Sequence, residues 1–215
     1  MNIIPTINVE TKVEAEKALK AFQGLPITWV QFDIGDESFS SKKTWDDPEE
    51  SMRLLREYLP GVSSEVHIMK RSVIEAAHLW IEAGVKKIII HYETLSKEKE
   101  QIIRSFAETR GVRVMLALLP ETPLNVLREY PEINEFQILS VHPGPSGQKF
   151  MYEIGEKIKT VKTMFPSAYI EVDGGINRDT ASFVAKMHVD AVAVGAYFSK
   201  SKNIQKDFSL LRELV

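Results

Sequence analysis

Two glycine-rich segments, each placed after a short apolar run, could together hold a phosphate group. The first is VDGG at residues 172–175, and the second is AVG at residues 193–195, with helix-like sequence between them. Paired turns of this kind follow the last two strands of a (β/α)8 barrel and form a phosphate site there. Glycine lets backbone N–H groups approach an anion closely, and a helix N-terminus adds positive potential. Asp173 directly precedes the glycines, and a carboxylate beside a phosphate site indicates chemistry on a sugar phosphate.

A second group of residues has the types needed to bind a divalent cation and to move protons. Asp33, His67 and Asp173 lie at the ends of three separate apolar runs. Carboxylate oxygens with an imidazole nitrogen suit Zn, Fe, Mn or Co, and Gln31 offers a fourth, neutral oxygen. Two carboxylates on either side of a substrate could remove a proton from one face of a carbon and return one to the other face. We therefore predict a metal-assisted proton-transfer site.

Other polar residues also fall where apolar runs end. The first run ends near Thr6 and Asn8, and the fourth ends with His91 followed by Glu93. We expect His91 either to orient a neighbouring ligand or simply to bond to Glu93. Residues 38–47 form the longest polar insertion, which follows the second run.

Eight short apolar runs, rich in Val and Ile and mostly without alternation, are the strand candidates. Continuous apolar runs are typical of parallel strands that are buried on both faces. Helix-period segments separate them, and the one near residues 123–130 is short. The predicted strands span residues 3–8, 28–34, 65–69, 87–91, 113–118, 136–141, 168–172 and 191–194.

This alternation predicts an α/β protein with one domain over residues 1–215, a single (β/α)8 TIM barrel of the phosphate-binding type. Its alternative is an open, doubly wound parallel sheet, which has a similar pattern. The count of eight and the position of the glycine segments after the last two strands favour the barrel. In a barrel, residues at the C-terminal ends of the strands converge on one site, so the polar residues named above should meet.

Composition excludes several classes of function and location. The 215 residues carry a formal net charge of −3, which gives no reason to expect nucleic acid or an anionic membrane as a partner. No cysteine is present, so disulfides and thiolate metal ligands are ruled out. No apolar run approaches the length of a membrane span, and the N-terminus lacks the pattern of a secretory signal. We expect a cytoplasmic protein.

The motifs, in order, resemble those of the ribulose-phosphate 3-epimerase family. Three family motifs have counterparts in the first third of the chain: the opening Pro-Ser-Ile at residues 5–7, His-x-Asp-x-x-Asp at residues 31–36, and Val-His-Leu-Met at residues 66–69. Six such motifs in the right order and at the right spacing are specific for the superfamily. The three others are HPGPSGQKF at residues 142–150, after Val141, VDGGI at residues 172–176, and VAVGA at residues 192–196.

The resemblance implies an isomerase that epimerises a ketose phosphate, of the D-ribulose 5-phosphate and D-xylulose 5-phosphate type, through an enediolate. Asp33 and Asp173 would be the acid/base pair, one for each face of the carbon. One divalent metal ion (Zn, Fe, Mn or Co) would stabilise the enediolate. Its predicted ligands are Gln31, Asp33, His67 and Asp173. The predicted phosphate-binding residues are Gly174, Gly175, Gly195 and Ala196, and the predicted substrate-binding residues are Thr6, His67, Gly144, Ser146 and Gly147.

Departures from the family pattern surround the predicted reaction centre more than the phosphate end. Gln31 stands where the family has its first metal-binding His, and an amide oxygen is a poorer ligand than imidazole. Two alternatives follow: a phosphosugar-binding barrel without epimerase activity, or another lyase or isomerase of the phosphate-binding barrels. The decarboxylases and hexulose-phosphate synthases use an Asp-x-Lys-x-x-Asp signature, which residues 65–71 lack. The expected partner is a small sugar phosphate, and a homo-oligomer is possible.

Overall fold

Eight parallel strands close into a barrel in sequence order, from β1 beside β2 round to β8 beside β1. The computed structural model describes residues 1–215. The prediction of a (β/α)8 barrel is confirmed, and the open sheet is excluded because β1 and β8 pair over four residues. The strands are β1 (Asn2–Ile7), β2 (Trp29–Gly35), β3 (Ser63–Met69), β4 (Lys87–His91), β5 (Arg113–Leu118), β6 (Glu135–Leu139), β7 (Tyr169–Asp173) and β8 (Ala191–Val194).

Helices cover the outside of the barrel and begin at the residues that favour helix starts. Thr11 forms a reciprocal capping box with Glu14, and Asp47 caps a helix that has Pro48 in its first turn. Gly84 ends another helix with a φ of 99°, which glycine adopts without strain. The helices are α1 (Lys12–Ala21), α2 (Pro48–Tyr58), α3 (Val73–Ala83), α4 (Lys97–Glu108), α5 (Ile154–Met164), α6 (Arg178–Ala185), α7 (Ala196–Ser199) and α8 (Ile204–Arg212).

The segment after β5 departs from a regular βα unit. Residues Leu124–Glu129 form a 3-10 helix there, and a second, shorter one, Tyr92–Thr94, follows β4. Pro123 and Pro131 flank the longer one and leave little room for regular α-helix. The chain has eight α-helices in all because β8 is followed by two, α7 and α8. No α-helix in the structure combines the length and the apolar character that crossing a membrane would need.

Strand pairing sets which residues face the same end of the barrel. Asp33 on β2 lies opposite His67 on β3, and Leu139 on β6 lies opposite Asp173 on β7. Apolar side chains that point outward pack under the helices and form most of the hydrophobic core. Because successive side chains of a strand point to opposite faces, Asp33 and Gln31 both point into the barrel.

The interior of the barrel is unusually polar below the predicted site. Glu65, Glu171, Gln31 and Gln137 are fully buried, and Lys87 is 1% exposed. Barrel interiors are normally filled by branched apolar side chains. The ammonium of Lys87 lies 2.8 Å from Glu65 and 3.8 Å from Glu171. Burial, together with the mutual repulsion of the two carboxyls, raises the pKa of Glu65, and burial also raises that of Glu171.

Candidate active site

Asp33, His67 and Asp173 meet at the C-terminal mouth of the barrel. One ligand atom from each lies within 4.8 Å of the other two. The Nδ1 atom of His67 is 3.2 Å from a carboxylate oxygen of Asp173 and 3.6 Å from one of Asp33. All three are predicted site residues. They lie close together because the C-terminal ends of β2, β3 and β7 meet at this mouth of the barrel.

The pKa values of His67 and Asp173 are shifted by burial and by the charged groups beside them. Burial alone lowers the pKa of His67, but the carboxylates of Asp173 and Asp33 outweigh it and raise that pKa to about 10. Burial raises the pKa of Asp173, although the neighbouring imidazole opposes this. A carboxyl with a raised pKa keeps its proton to a higher pH than usual, which suits a general acid.

A chain of hydrogen bonds fixes the orientation of His67 from behind. Its Nε2 atom lies 2.8 Å from Nε2 of His91, and Nδ1 of His91 lies 3.2 Å from Glu93. Burial lowers the pKa of His91 to about 4, so this ring is neutral and can accept from His67 while donating to Glu93. With that arrangement the Nδ1 atom of His67 is the one turned toward the carboxylates. Both interpretations of His91 from the sequence therefore describe it: it bonds to Glu93 and orients its neighbour.

Gln31 also lies against both carboxylates, but with its amide nitrogen toward them. That nitrogen donates to Asp33 at 2.7 Å and to Asp173 at 3.3 Å. Its carbonyl oxygen instead accepts from the amide of Gln137 at 2.9 Å. This is the opposite orientation from the one that the predicted ligand role requires, because only the oxygen of an amide coordinates a metal readily.

Asn8 is a site residue that the set predicted from the sequence omitted. Its amide nitrogen donates to Asp33 at 3.1 Å and reaches the backbone oxygen of Gly144 at 3.5 Å. Its oxygen accepts from Lys42 at 3.3 Å. Asn8 therefore joins the carboxylate to the loops after β2 and β6. The sequence places Asn8 at the end of the first strand, but the spacing of the residues does not show which groups its side chain contacts.

The glycine segments present free backbone donors to the same pocket. The N–H groups of Gly174, Gly175 and Gly195 form no hydrogen bond within the protein. Gly174 and Gly175 have φ values of 106° and 60°, a conformation that other residues adopt only with strain. Asn177 caps the first N–H groups of α6, so the free donors come from the turns themselves rather than from that helix. Ala196 lines the pocket beside them.

The loop after β6 forms one wall of this pocket. Gly144, Ser146 and Gly147 line it, as does Thr6 from β1. Gln148 donates to the backbone oxygens of His142 and Pro145, which holds the loop in a compact turn. His142 pairs with Glu121 in the loop after β5. The pocket is therefore lined both by the acidic cluster and by the free N–H groups.

Comparison with known proteins agrees with this arrangement. The model of the ribulose-phosphate 3 epimerase family matches residues 2–199, nearly the whole chain. The chain belongs to the ribulose-phosphate 3-epimerase family. Its relatives in this family indicate that the protein is an enzyme of the isomerase class.

Two relatives within the epimerase family show how far the similarity extends. A ribulose-phosphate 3-epimerase of Eremothecium gossypii is 28% identical over 178 residues, which cover 78% of this chain and 73% of that protein. One of Chlamydia trachomatis is 33% identical over 147 residues, which cover 65% of this chain and 62% of that protein. The resemblance seen in the motifs is thus confirmed along most of the sequence.

Solved structures that resemble this epimerase-family chain share its fold at low identity. KGPDC from Streptococcus mutans, in complex with D-R5P, superposes with a TM-score of 0.77 at 11% identity and covers 99% of this chain and 95% of its own. The 3-hexulose-6-phosphate synthase from Salmonella typhimurium gives a TM-score of 0.75 at 15% identity, covering 100% of this chain and 98% of its own. At such identities the likeness shows the barrel alone.

The donor atoms of this epimerase-family site fit a divalent cation. The Nδ1 atom of His67 is buried and has no hydrogen bond of good geometry, although two carboxylates face it. One imidazole nitrogen with two carboxylates is a donor set that Zn, Fe, Mn and Co accept. The hydrogen bond from His67 to His91 is the kind of outer contact that orients metal-binding histidines.

Proposed function

We propose that this protein epimerises a ketose phosphate of the D-ribulose 5-phosphate type by 1,1-proton transfer at the carbon next to the ketone. One observation carries the proposal: two carboxylates, Asp33 and Asp173, share a pocket with the free N–H groups of three glycines. The substrate named by the relatives has a phosphate and an acidic carbon in one small molecule. A pocket with both functions suits that molecule.

The proposed reaction needs one carboxylate on each face of the reacting carbon. One carboxylate removes the proton from carbon and leaves an enediolate, and the other, in its acid form, gives a proton to the opposite face. In one direction Asp33 is the base, and Asn8 and Gln31 donate to it. Asp173, whose pKa burial raises, is then the acid. Asp33 then carries the proton taken from carbon and Asp173 has lost its own, so the total is unchanged, and proton exchange with water restores the starting states. In the reverse direction the two residues exchange roles.

Asp33, His67 and Asp173 would hold the divalent cation that the family resemblance implies. Bound there, it would stabilise the negative charge that develops on the enediolate. His91 and Glu93 keep the imidazole of His67 turned toward the two carboxylates. Thr6, Gly144, Ser146 and Gly147 enclose the sugar, and the backbone of Gly174, Gly175, Gly195 and Ala196 holds the phosphate.

Solvent exchange tests the reaction directly. The protein, loaded in turn with Zn²⁺, Mn²⁺ and Co²⁺, is incubated in D2O with ribulose 5-phosphate and a panel of other ketose phosphates. We expect deuterium at the carbon next to the ketone, together with formation of the epimer. Binding of a sugar phosphate without exchange would instead support the phosphosugar-binding barrel, which the Gln31 substitution favours. The cytoplasmic location and the homo-oligomer stay predictions.

His67→Ala should remove bound divalent cation from the protein. The imidazole nitrogen is the only nitrogen donor among the three groups, and its loss should lower the affinity by at least about 100-fold. Metal analysis after dialysis measures the effect. His78→Ala, which changes a half-buried histidine of α3 that packs against Phe106 and does not line the pocket, is the matched control and should leave metal content unchanged. Unchanged metal content in His67→Ala would show that the cation binds elsewhere.

A further inference from the structure

We propose that Gln31 is not a metal ligand in this chain but the hydrogen-bond donor that spaces the two carboxylates, held in that role by Gln137 and Glu171. The metal site then has three protein ligands, Asp33, His67 and Asp173. This inference rests on the metal site of the proposed function and concerns which atoms of this chain compose it.

Both the nitrogen and the oxygen of the Gln31 amide form hydrogen bonds in the structure. Its nitrogen has two hydrogens, and two acceptors face it, Asp33 at 2.7 Å and Asp173 at 3.3 Å. The side chain is completely buried, so no water competes for these bonds. The donors lie between two negative groups that would otherwise repel each other at short range. An amide N–H pair in this place stabilises the carboxylates in their charged form.

Gln137 determines which end of Gln31 faces the site. The two hydrogens of its own amide nitrogen go to the oxygen of Gln31 at 2.9 Å and to Glu171 at 2.8 Å. If the amide of Gln31 turned over, its nitrogen would face the nitrogen of Gln137, and its oxygen would face the two carboxylates. Both contacts would be repulsive, and the buried N–H groups would be left without an acceptor.

Glu171 in turn fixes the orientation of the Gln137 amide by accepting a hydrogen bond from its nitrogen. It is fully buried, lies 3.8 Å from the ammonium of Lys87, and accepts from Gln137. The other amide atom of Gln137, its oxygen, has no partner, so nothing in the protein favours the reversed orientation of that group. A column of polar side chains inside the barrel therefore runs from Lys87 through Glu171 and Gln137 to Gln31. The two hydrogen bonds that Gln137 donates fix which end of the Gln31 amide faces the carboxylates.

The two roles of Gln31 predict opposite changes in metal affinity. A ligand adds to the affinity, so its loss weakens binding, whereas a hydrogen-bond donor competes with the cation for the same carboxylate oxygens. We expect Gln31→Leu to bind Zn²⁺ and Mn²⁺ as tightly as the parent or up to about tenfold more tightly. Competition with a chromophoric chelator measures this without reference to activity. Weakening by more than about tenfold would overturn the proposal.

A second variant, at a residue that is not itself a proposed metal ligand, tests the same proposal if Gln31→Leu does not fold. Gln137→Leu removes the donor that holds the oxygen of Gln31, so the amide can turn and offer that oxygen to the cation. We expect tighter binding of Zn²⁺ than in the parent. The double variant with Gln31→Leu should bind only as tightly as Gln31→Leu alone, because no amide is left to turn. Unchanged or weaker binding in Gln137→Leu would contradict the proposal.

The outcomes separate this inference from the proposed function. If the parent protein binds no divalent cation that depends on His67, the metal site fails, and the present inference fails with it. If the parent binds the cation and only Gln31→Leu weakens that binding, Gln31 is a ligand and the metal site stands. Epimerase activity is measured in neither case, so a failure of catalysis alone would overturn the proposed reaction but leave the metal site and the role of Gln31 unaffected.

Discussion

Asp173→Asn should abolish net epimerisation, and Asp33→Asn should do the same. Asparagine has nearly the same size and shape as aspartate but cannot carry a proton to or from carbon. Each carboxylate serves one face of the substrate, so the loss of either removes one of two obligatory steps. A general acid or base contributes about 10²–10⁴-fold, and we expect a fall in kcat of that order in each variant.

The two halves of the reaction can be followed separately in these variants. Each variant retains the carboxylate for one face, so it should take up deuterium from D2O into the epimer whose proton lies on that face, without forming the other epimer. Asp179→Asn, on the exposed first turn of α6, is a matched control and should keep full activity. Full epimerase activity in both site variants would refute the two-carboxylate mechanism. Because Asp173 also pairs with His67, metal content must be measured alongside.

The barrel was predictable because its signals are periodic and local. Eight apolar runs without alternation indicate buried parallel strands, and polar residues at their ends must converge once the sheet closes. That reasoning brings Asp33, His67 and Asp173 into one cluster from the sequence alone. The predicted strand boundaries differ from those of the structure by only a few residues, as at β6, which ends at Leu139 rather than at residue 141.

Hydrogen-bond direction inside the site was not predictable from the sequence. Gln31 has a suitable side chain for a ligand, and its position two residues before Asp33 puts it on the correct face of the strand. Which end of its amide faces the carboxylates depends on Gln137, which lies more than one hundred residues away and pairs only in the closed barrel. Asn8 is a similar case, since its partners Lys42 and Gly144 belong to two loops.

The polar interior also changes how the Gln31 substitution is interpreted. Considered alone, an amide in place of an imidazole suggests a weakened metal site and supports loss of catalysis. Together with Gln137 and Glu171, the same amide is part of a set of hydrogen bonds that orders the carboxylates. The side chains of His67, His91 and Glu93 form a second chain of hydrogen bonds. Buried side chains that hydrogen-bond to one another hold each other in place, and fixed positions are what proton transfer needs.

Gly195→Ala should weaken the binding of phosphorylated sugars by at least about 100-fold, because phosphate is held by charge-assisted bonds to backbone N–H groups that need close approach. Gly195 is the cleanest position for this test. Its φ of −100° is negative, whereas Gly174 and Gly175 have positive φ, and a side chain at Gly174 would also meet Val141. A Cβ at Gly195 would lie 2.7 Å from the hydroxyl oxygen of Thr6, within the phosphate end of the pocket.

Calorimetry with a ketose phosphate and with the same sugar lacking phosphate measures this effect. The expected loss is confined to the phosphorylated sugar, and Ser105→Ala, on the exposed face of α4, should bind like the parent. Adding Thr6→Ala to Gly195→Ala removes the crowding against Thr6 while the added methyl group still covers the free N–H groups. If the double variant regains full affinity, the effect comes from displacement of Thr6 and not from the blocked backbone. Equal affinity of the parent protein for both sugars would show that these glycines hold no phosphate.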